Sequence, residues 1–310
     1  MKKNVVWWVD FGNNEYSKYS KNTWKYWCDK NDCLFIEYDI SFDDDTIKNL
    51  ILEIYPEMME YGRVTQWKKE FFGNWHRYTS VFDVLEKKKI EYDQICLVNS
   101  SSMIKWDTPN FFDLTNRKFT AWREMDNFRW VYESVRAYKE YRLFDDFELD
   151  LYKYIGTDFI IFNDSHKDVF QKIKEFYLSH LQNILQVYNI DNKKSIIYPQ
   201  EVITQRIAQT PINYLLQIND IDIELNLSRA FKLNYLSRKD FLYYGGQPFG
   251  LAHLHPAFNW QLRKKDDESY LDTIPFYAKV GYVWLWDSIE EKKKIELMGV
   301  TWNELKENYK

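Results

Sequence analysis

The chain has 310 residues, 42 Lys+Arg against 47 Asp+Glu for a formal net charge of −5, and 45 % hydrophobic residues. That balance excludes a disordered chain, and it excludes a dedicated nucleic-acid binder, which carries a basic stripe. No apolar run reaches the roughly 18–20 residues of a membrane span, and the five apolar residues Val5–Val9 (VVWWV) are too few for a signal-peptide core. Cys28, Cys33 and Cys96 form no zinc pattern, and their odd number favours reduced thiols. The expected location is therefore the cytoplasm, of a bacterium or of a virus-infected host cell given the AT-rich flavour of the composition.

Val5–Val9 reads as a buried strand that ends in the turn Asp10-Phe11-Gly12. Residues 16–31 place Tyr16, Tyr19, Thr23, Tyr26 and Trp27 at helical spacing, and CLFIEY at 33–38 reads as a second strand. Asp43-Asp44-Asp45 precedes a helix expected over 46–61, where negative charge suits the helix N-terminus. Residues 74–89 are amphipathic, with Trp75, Tyr78, Val81, Phe82 and Leu85 on one side. QICLV at 94–98 is another buried strand and runs into the polar cluster Asn99-Ser100-Ser101-Ser102. A helix over 127–143, a strand over 158–162, a helix over 167–188 and a helical stretch over 199–217 follow. Past Leu236 the periodicity weakens, a charged loop occupies 263–269, and the C-terminus reads as surface helices.

Strand and helix alternate, which predicts an α/β fold with a largely parallel sheet flanked by helices and an irregular C-terminal part. Residues 1–262 are expected to form one domain, with 263–310 a charged loop and helical extension packed on it. In such sheets ligands bind beyond the carboxyl ends of the strands, here Asp10–Gly12 and Asn99–Ser102. No G-x-S-x-G, G-x-x-x-x-G-K-[ST] or G-x-G-x-x-G occurs, so the corresponding hydrolase, NTPase and dinucleotide chemistries fall away. Cys28-x4-Cys33 reads as a buried or half-buried pair rather than a redox site. The chain carries 13 Trp among 19 % aromatic residues. Tryptophan stacks on sugar faces, yet it also fills cores with a polar handle to satisfy, and composition favours the core.

Tyr92–Leu114 (YDQICLVNSSSMIKWDTPNFFDL) resembles a segment of nucleotide-sugar-dependent glycosyltransferases of the GT-A fold. In that family a "YD" pair and an apolar strand lead to a D-x-D motif, a short second strand and a P-x-x-F element. Tyr92-Asp93, Ile95–Val98, Met103-Ile104 and Pro109–Phe112 take those places. The helix with Arg77 and Tyr78 resembles the family helix that carries a basic residue toward the donor. Tyr154–Asn163 is similar to the later "Y-F-N-S-G" strand, Ala208–Leu215 to the "D-Q-x-x-x-N" helix start, and His253-Leu254-His255 to the late "H-F-x-G" segment.

The resemblance implies a nucleoside-diphosphate sugar as donor and a sugar or glycan as acceptor, with no nucleic acid and no membrane span. It implies Asp158 and Gln209 as catalytic groups. It places Asp10, Phe11, Gly12, Tyr16, Arg77, Asn99, Ser100, Ser101, Asn213 and His253 against the nucleotide-sugar. The departures fall on polar chemistry. D-x-D is Asn99-Ser100-Ser101, N-x-G is Gly156-Thr157-Asp158, and the Asp before Gln209 is Ala208. Two carboxylates that would attract a hard divalent ion are gone. Mn2+ or Mg2+ is therefore expected to be held weakly, if by anything by Asn99, Ser101 and His253. Arg77, Lys105 or Arg123 then answer the diphosphate charge. The rival expectation is a non-catalytic relative that binds a nucleotide-sugar or glycan. Each residue also has a plainer role: Asp10 as a turn cap, Arg77 on a solvated face, the serines in a Ser-rich turn, Gln209-Thr210-Pro211 as a helix start, and the histidines in a loop. Trp122, Trp130 and Tyr132 serve either as sugar platforms or as packing.

Overall fold

The computed structural model describes residues 2–10, 17–39, 74–100, 102–104, 110–123, 128–144, 147–188, 208–225 and 251–253. The helix expected over 46–61 and the segment 263–310 lie outside them. In chain order the elements are β1 (Lys3–Asp10), α1 (Ser17–Lys30), β2 (Leu34–Asp39), α2 (Val81–Lys87), β3 (Tyr92–Asn99), β4 (Ser102–Ile104), β5 (Phe119–Arg123), α3 (Phe128–Glu140), β6 (Ile155–Phe162), α4 (Lys167–Tyr188), α5 (Gln209–Ile218), β7 (Ile223–Glu224) and β8 (Leu251–His253). Residues 74–79 are helical as well. The class is α/β, with mostly parallel strands and flanking helices, as expected. Among the described residues no helix is long and apolar enough to cross a membrane. The chain divides into two compact units, residues 1–38, 92–116 and 226–310 in the first, and 39–91 and 117–225 in the second.

In the first unit the strands lie in the order β2-β1-β3. β1 and β3 run parallel, with Val5 opposite Ile95 and Val9 opposite Asn99. Val5, Val6, Trp7, Trp8 and Val9 are all fully buried, without alternation. That is how a parallel strand covered on both faces reads. Trp7 stacks on Tyr38 of β2 at 4.8 Å. The Trp8 indole N–H donates to Ser20 Oγ of α1 at 2.8 Å, which satisfies its polar end inside the core. Further along α1, Trp27 stacks on Phe111 with centroids 4.3 Å apart and planes at 4°. Tryptophan thus goes to packing here, Trp7, Trp8, Trp24, Trp27 and Trp75 being wholly buried.

α1 stops in a Schellman motif. Asp32 takes a left-handed φ of 52°, and the Cys33 N–H donates to the Cys28 carbonyl at 2.9 Å. The sequence spacing of the two cysteines is therefore the spacing of a helix stop. Burial pushes the Cys33 thiol up to about 12 and raises Cys28 and Cys96 further. These groups stay protonated and behave as small apolar side chains rather than reactive thiolates.

In the second unit the strands lie in the order β6-β5-β7. β5 is antiparallel to β6, with Thr120 opposite Ile161, and parallel to β7, with Phe119 opposite Ile223. The pairing slips between Ala121 and Arg123. β6 starts at Ile155, three residues before the expected start at Asp158, because the polar Gly156-Thr157-Asp158 interrupts the apolar run without interrupting the strand. The helix expected over 74–89 is broken at Ser80. The Ser80 hydroxyl donates back to the His76 carbonyl, a local bond that bends helices.

The turn from β6 into α4 is a reciprocal cap. Asn163 Oδ1 accepts the Ser165 N–H at 2.9 Å, and the Asn163 N–H donates to His166 Nδ1 at 3.2 Å. His166 packs edge-on to Phe119 at 5.5 Å, and burial lowers its pKa from the ordinary 6.5. The folded chain holds this imidazole neutral while the unfolded chain binds a proton from about pH 6.5 downward. Stability supplied here is present above pH 6.5 and is lost as the pH falls from 6.5 toward the lowered folded value. Urea unfolding between pH 7.5 and 5 should show that decline, and His166→Gln should show less of it.

Candidate functional site

The polar residues at the carboxyl end of β1 and β3 form the first cluster. The order β2-β1-β3 means that the chain leaves β1 through α1 to β2 on one side and later returns to β3 on the other. The strand order reverses between β1 and β3, and a crevice opens at such a switch point. Asp10 closes β1 and Asn99 closes β3, both half-buried. Beyond them the Ser100 N–H donates to the Val9 carbonyl at 2.8 Å, which extends the ladder by one residue. The Ser100 hydroxyl donates to Asp10 Oδ1 at 3.1 Å. Ser100 itself is only 1 % exposed.

The next element completes this end of the unit. β4 pairs antiparallel with β8, setting Ser102 opposite His253 and Ile104 opposite Leu251. β4 is tied to α1, the Ile104 N–H donating to Thr23 Oγ1 at 3.2 Å. The backbone of His253 is thereby brought beside the turn that follows Asn99, across some 150 residues of sequence. Phe11, Gly12, Tyr16, Ser101, Lys105 and His255 lie outside the described residues. Among the described residues no three His, Cys, Asp or Glu side chains form a group that could hold a metal ion. Among the described residues the oxygen donors at this end are the Asp10 carboxylate, the Asn99 carboxamide and the Ser100 hydroxyl, which itself donates to Asp10. The other expected metal contacts, Ser101 and the His253 side chain, lie outside the described residues.

The second cluster is the start of β6. Asn213 Oδ1 accepts the Ile155 N–H at 2.7 Å, and its Nδ2 donates to the Ile155 carbonyl at 3.0 Å and to the Gln209 carbonyl at 2.9 Å. Gln209 Nε2 donates to the same Ile155 carbonyl at 3.0 Å. The Asn213 carboxamide thus makes the pair of bonds that a residue on a neighbouring strand would make. The i, i+4 spacing does put both carboxamides on one face, as expected, and that face meets the backbone of β6. Two residues on, the Tyr78 hydroxyl donates to the Thr157 carbonyl at 2.6 Å. Burial pushes the Tyr78 pKa up to about 12, which keeps it a donor.

Arg77 is buried with its guanidinium 4.5 Å from the Tyr78 ring centre. Burial lowers the Arg77 pKa, opposed by its electrostatic interactions with the Tyr78 hydroxyl and with the half-buried Asp158 carboxylate. Thr210 Oγ1 lies 2.6 Å from Ser134 Oγ and 2.7 Å from the Tyr154 hydroxyl, and all three residues are buried. Tyr78, Ser134 and Thr210 were not singled out as site residues in the sequence, and only the helical neighbour relation of Tyr78 to Arg77 pointed to any of them. Of the residues considered as sugar platforms, Tyr132 is 51 % exposed, and Trp122 and Trp130 are placed by backbone alone.

Removing the Asn213 carboxamide takes the partner of the buried Ile155 N–H, while the Ile155 carbonyl keeps its bond from Gln209. Asn213→Ala should cost about 1–3 kcal/mol of stability, measured by urea unfolding at neutral pH.

No family model matches the chain, and no curated protein matches it. A solved structure that is similar to it is the crystal structure of a glycosyltransferase involved in the glycosylation of the major capsid of PBCV-1, at 9 % sequence identity over 90 % of this chain and 99 % of that one, with a TM-score of 0.43.

Proposed function

We propose that the chain is a glycosyltransferase that moves a sugar from a nucleoside-diphosphate sugar to a sugar or glycan acceptor. One observation carries the reading. Asp10, Asn99-Ser100 and the His253 strand, far apart in sequence, converge at the carboxyl ends of β1 and β3. That is where open α/β sheets bind nucleotides, and these are the segments whose residues resemble the donor-binding parts of GT-A enzymes.

Transfer leaves a diphosphate and builds positive character on the sugar carbon, so positioned charge does most of the work. The proposed reaction runs without a tightly held metal, a reading supported by Asn99-Ser100-Ser101 standing where the resemblance expects two carboxylates. Asp10 and Asn99 bind the donor, with His253 beside them. Arg77, Lys105 or Arg123 is assigned to the diphosphate charge, and Asp158 to the reacting sugar, whose developing positive charge a carboxylate stabilises. Gln209 and Asn213 serve the reaction through the strand that carries Asp158.

The missing carboxylates favour one second reading, a non-catalytic protein that binds the donor and does not turn it over. Thermal unfolding against UDP, GDP and CMP and their common sugars, with Mn2+ and again with EDTA, tests the first point. One nucleotide at 100 times its dissociation constant should add about 2.7 kcal/mol, a shift of a few degrees, and keep that shift in EDTA. A shift that needs Mn2+ would sink the metal-free mechanism. Slow release of free sugar from the stabilising donor should accompany it, and binding without release would leave the non-catalytic reading standing.

A further inference from the structure

The middle residue of the Asn99-Ser100-Ser101 turn faces inward. At 1 % exposure Ser100 presents no surface to a ligand, and its hydroxyl already donates to Asp10 Oδ1 at 3.1 Å. Its backbone is held too, by the 2.8 Å bond from its N–H to the Val9 carbonyl. Val9 and Asn99 are themselves opposite one another in the parallel ladder. The hydroxyl is therefore delivered from a frame that the two strands fix. Asp10, by contrast, is a strand-end carboxylate with two rotatable side-chain bonds, and a donor on one of its oxygens restrains both. Hydrogen bonds to a charged acceptor are stronger than neutral ones, so this bond, held at 3.1 Å, biases the carboxylate toward the orientation that faces Ser100.

From this we infer that Ser100 is a positioning residue for Asp10: it sets the angle at which the Asp10 carboxylate meets the nucleotide, and touches no ligand itself. The inference rests on the donor-site reading given above. It changes what the turn is for. Asn99 and Asp10 stand at the crevice, and the residue between Asn99 and Ser101 orients the carboxylate of the neighbouring strand.

A double-mutant cycle on the full chain tests it, with the nucleotide among UDP, GDP and CMP that stabilises the wild type as probe and calorimetric titration as readout. Ser100→Ala should weaken binding about ten-fold, the loss of one bond to a charged group. Ser100→Thr keeps the hydroxyl and should bind within about two-fold of wild type; if the added methyl prevents folding, Ser100→Cys replaces it and should fall between the two. In an Asp10→Ala background Ser100→Ala should have no further effect on affinity, because the group it positions is gone. A merely structural serine would weaken binding equally in both backgrounds, which overturns the inference. Equal binding by wild type and Ser100→Ala overturns it as well, and leaves the donor site intact. Absence of binding by the wild type to every probe overturns the donor-site reading, and this inference falls with it.

Discussion

The parallel pairing of β1 with β3 is the constraint on which the first unit depends. A parallel strand in the middle of a sheet has both faces covered, so every side chain from Val5 to Val9 must be apolar or have its polar end satisfied inside. Trp8 meets this by donating to Ser20, whereas Trp7 stacks on Tyr38 and its indole N–H finds no hydrogen-bond partner among the described residues. The same ladder determines the polar end. With Val9 opposite Asn99, the next residue, Ser100, comes within reach of both the Val9 carbonyl and the Asp10 carboxylate. A slip of one residue would exchange the faces of the whole strand and carry Ser100 out of reach. Core and crevice are consequences of one register.

The second unit meets its constraint differently. Ile155, at the head of β6, offers a buried N–H and carbonyl that need partners. A side chain supplies both, since the carboxamide of Asn213 has a donor and an acceptor at the spacing of a peptide. Gln209 and Tyr78 add donors to the Ile155 and Thr157 carbonyls. Asp158 follows directly on this held segment. The cost of burying Arg77 is lowered by the ring of Tyr78 and the charge of Asp158. Polar side chains that look like ligand contacts in a linear sequence here keep a strand in place.

This difference explains what was legible beforehand. The unbroken apolar runs at Val5–Val9 and Ile95–Val98 announced buried strands, and Asp10 and Asn99 were visible because each ends such a run. The helix over 167–188 was legible in full, because its apolar period continues for six turns behind an Asn163 cap. The inward turn of Ser100 was not legible, since the burial of a serine depends on the strand beside it. Nor was the role of Asn213. The spacing from Gln209 says that two carboxamides share a face, and says nothing of what that face meets. The start of β6 is hidden in the sequence because glycine and aspartate speak against a strand on their own, while hydrogen bonds from Asn213 and Gln209 to Ile155 and from Tyr78 to Thr157 hold the segment. The break at Ser80 was missed because it comes from a single hydroxyl inside an otherwise regular amphipathic pattern.

On the proposed function, Asn99-Ser100-Ser101 in the turn after β3, where the resemblance expects two carboxylates, also changes what the neighbours of that turn must do. Two acidic side chains there, next to Asp10, would place three negative charges at one strand end, an arrangement that persists only with a cation among them. With Asn99, Ser100 and Ser101 in that turn, Asp10 brings the one carboxylate among the described residues of this strand end, and the hydroxyl of Ser100 donates to it. On the proposed function, the Ser100 hydroxyl helps to orient the Asp10 carboxylate. Unlike a divalent ion it adds no positive charge, so the repulsion of an incoming phosphate is left to basic side chains. The substitution is coherent only as a set. Restoring one acidic residue to the turn without its partner would leave a second carboxylate near Asp10 with neither a cation nor a hydroxyl to compensate it.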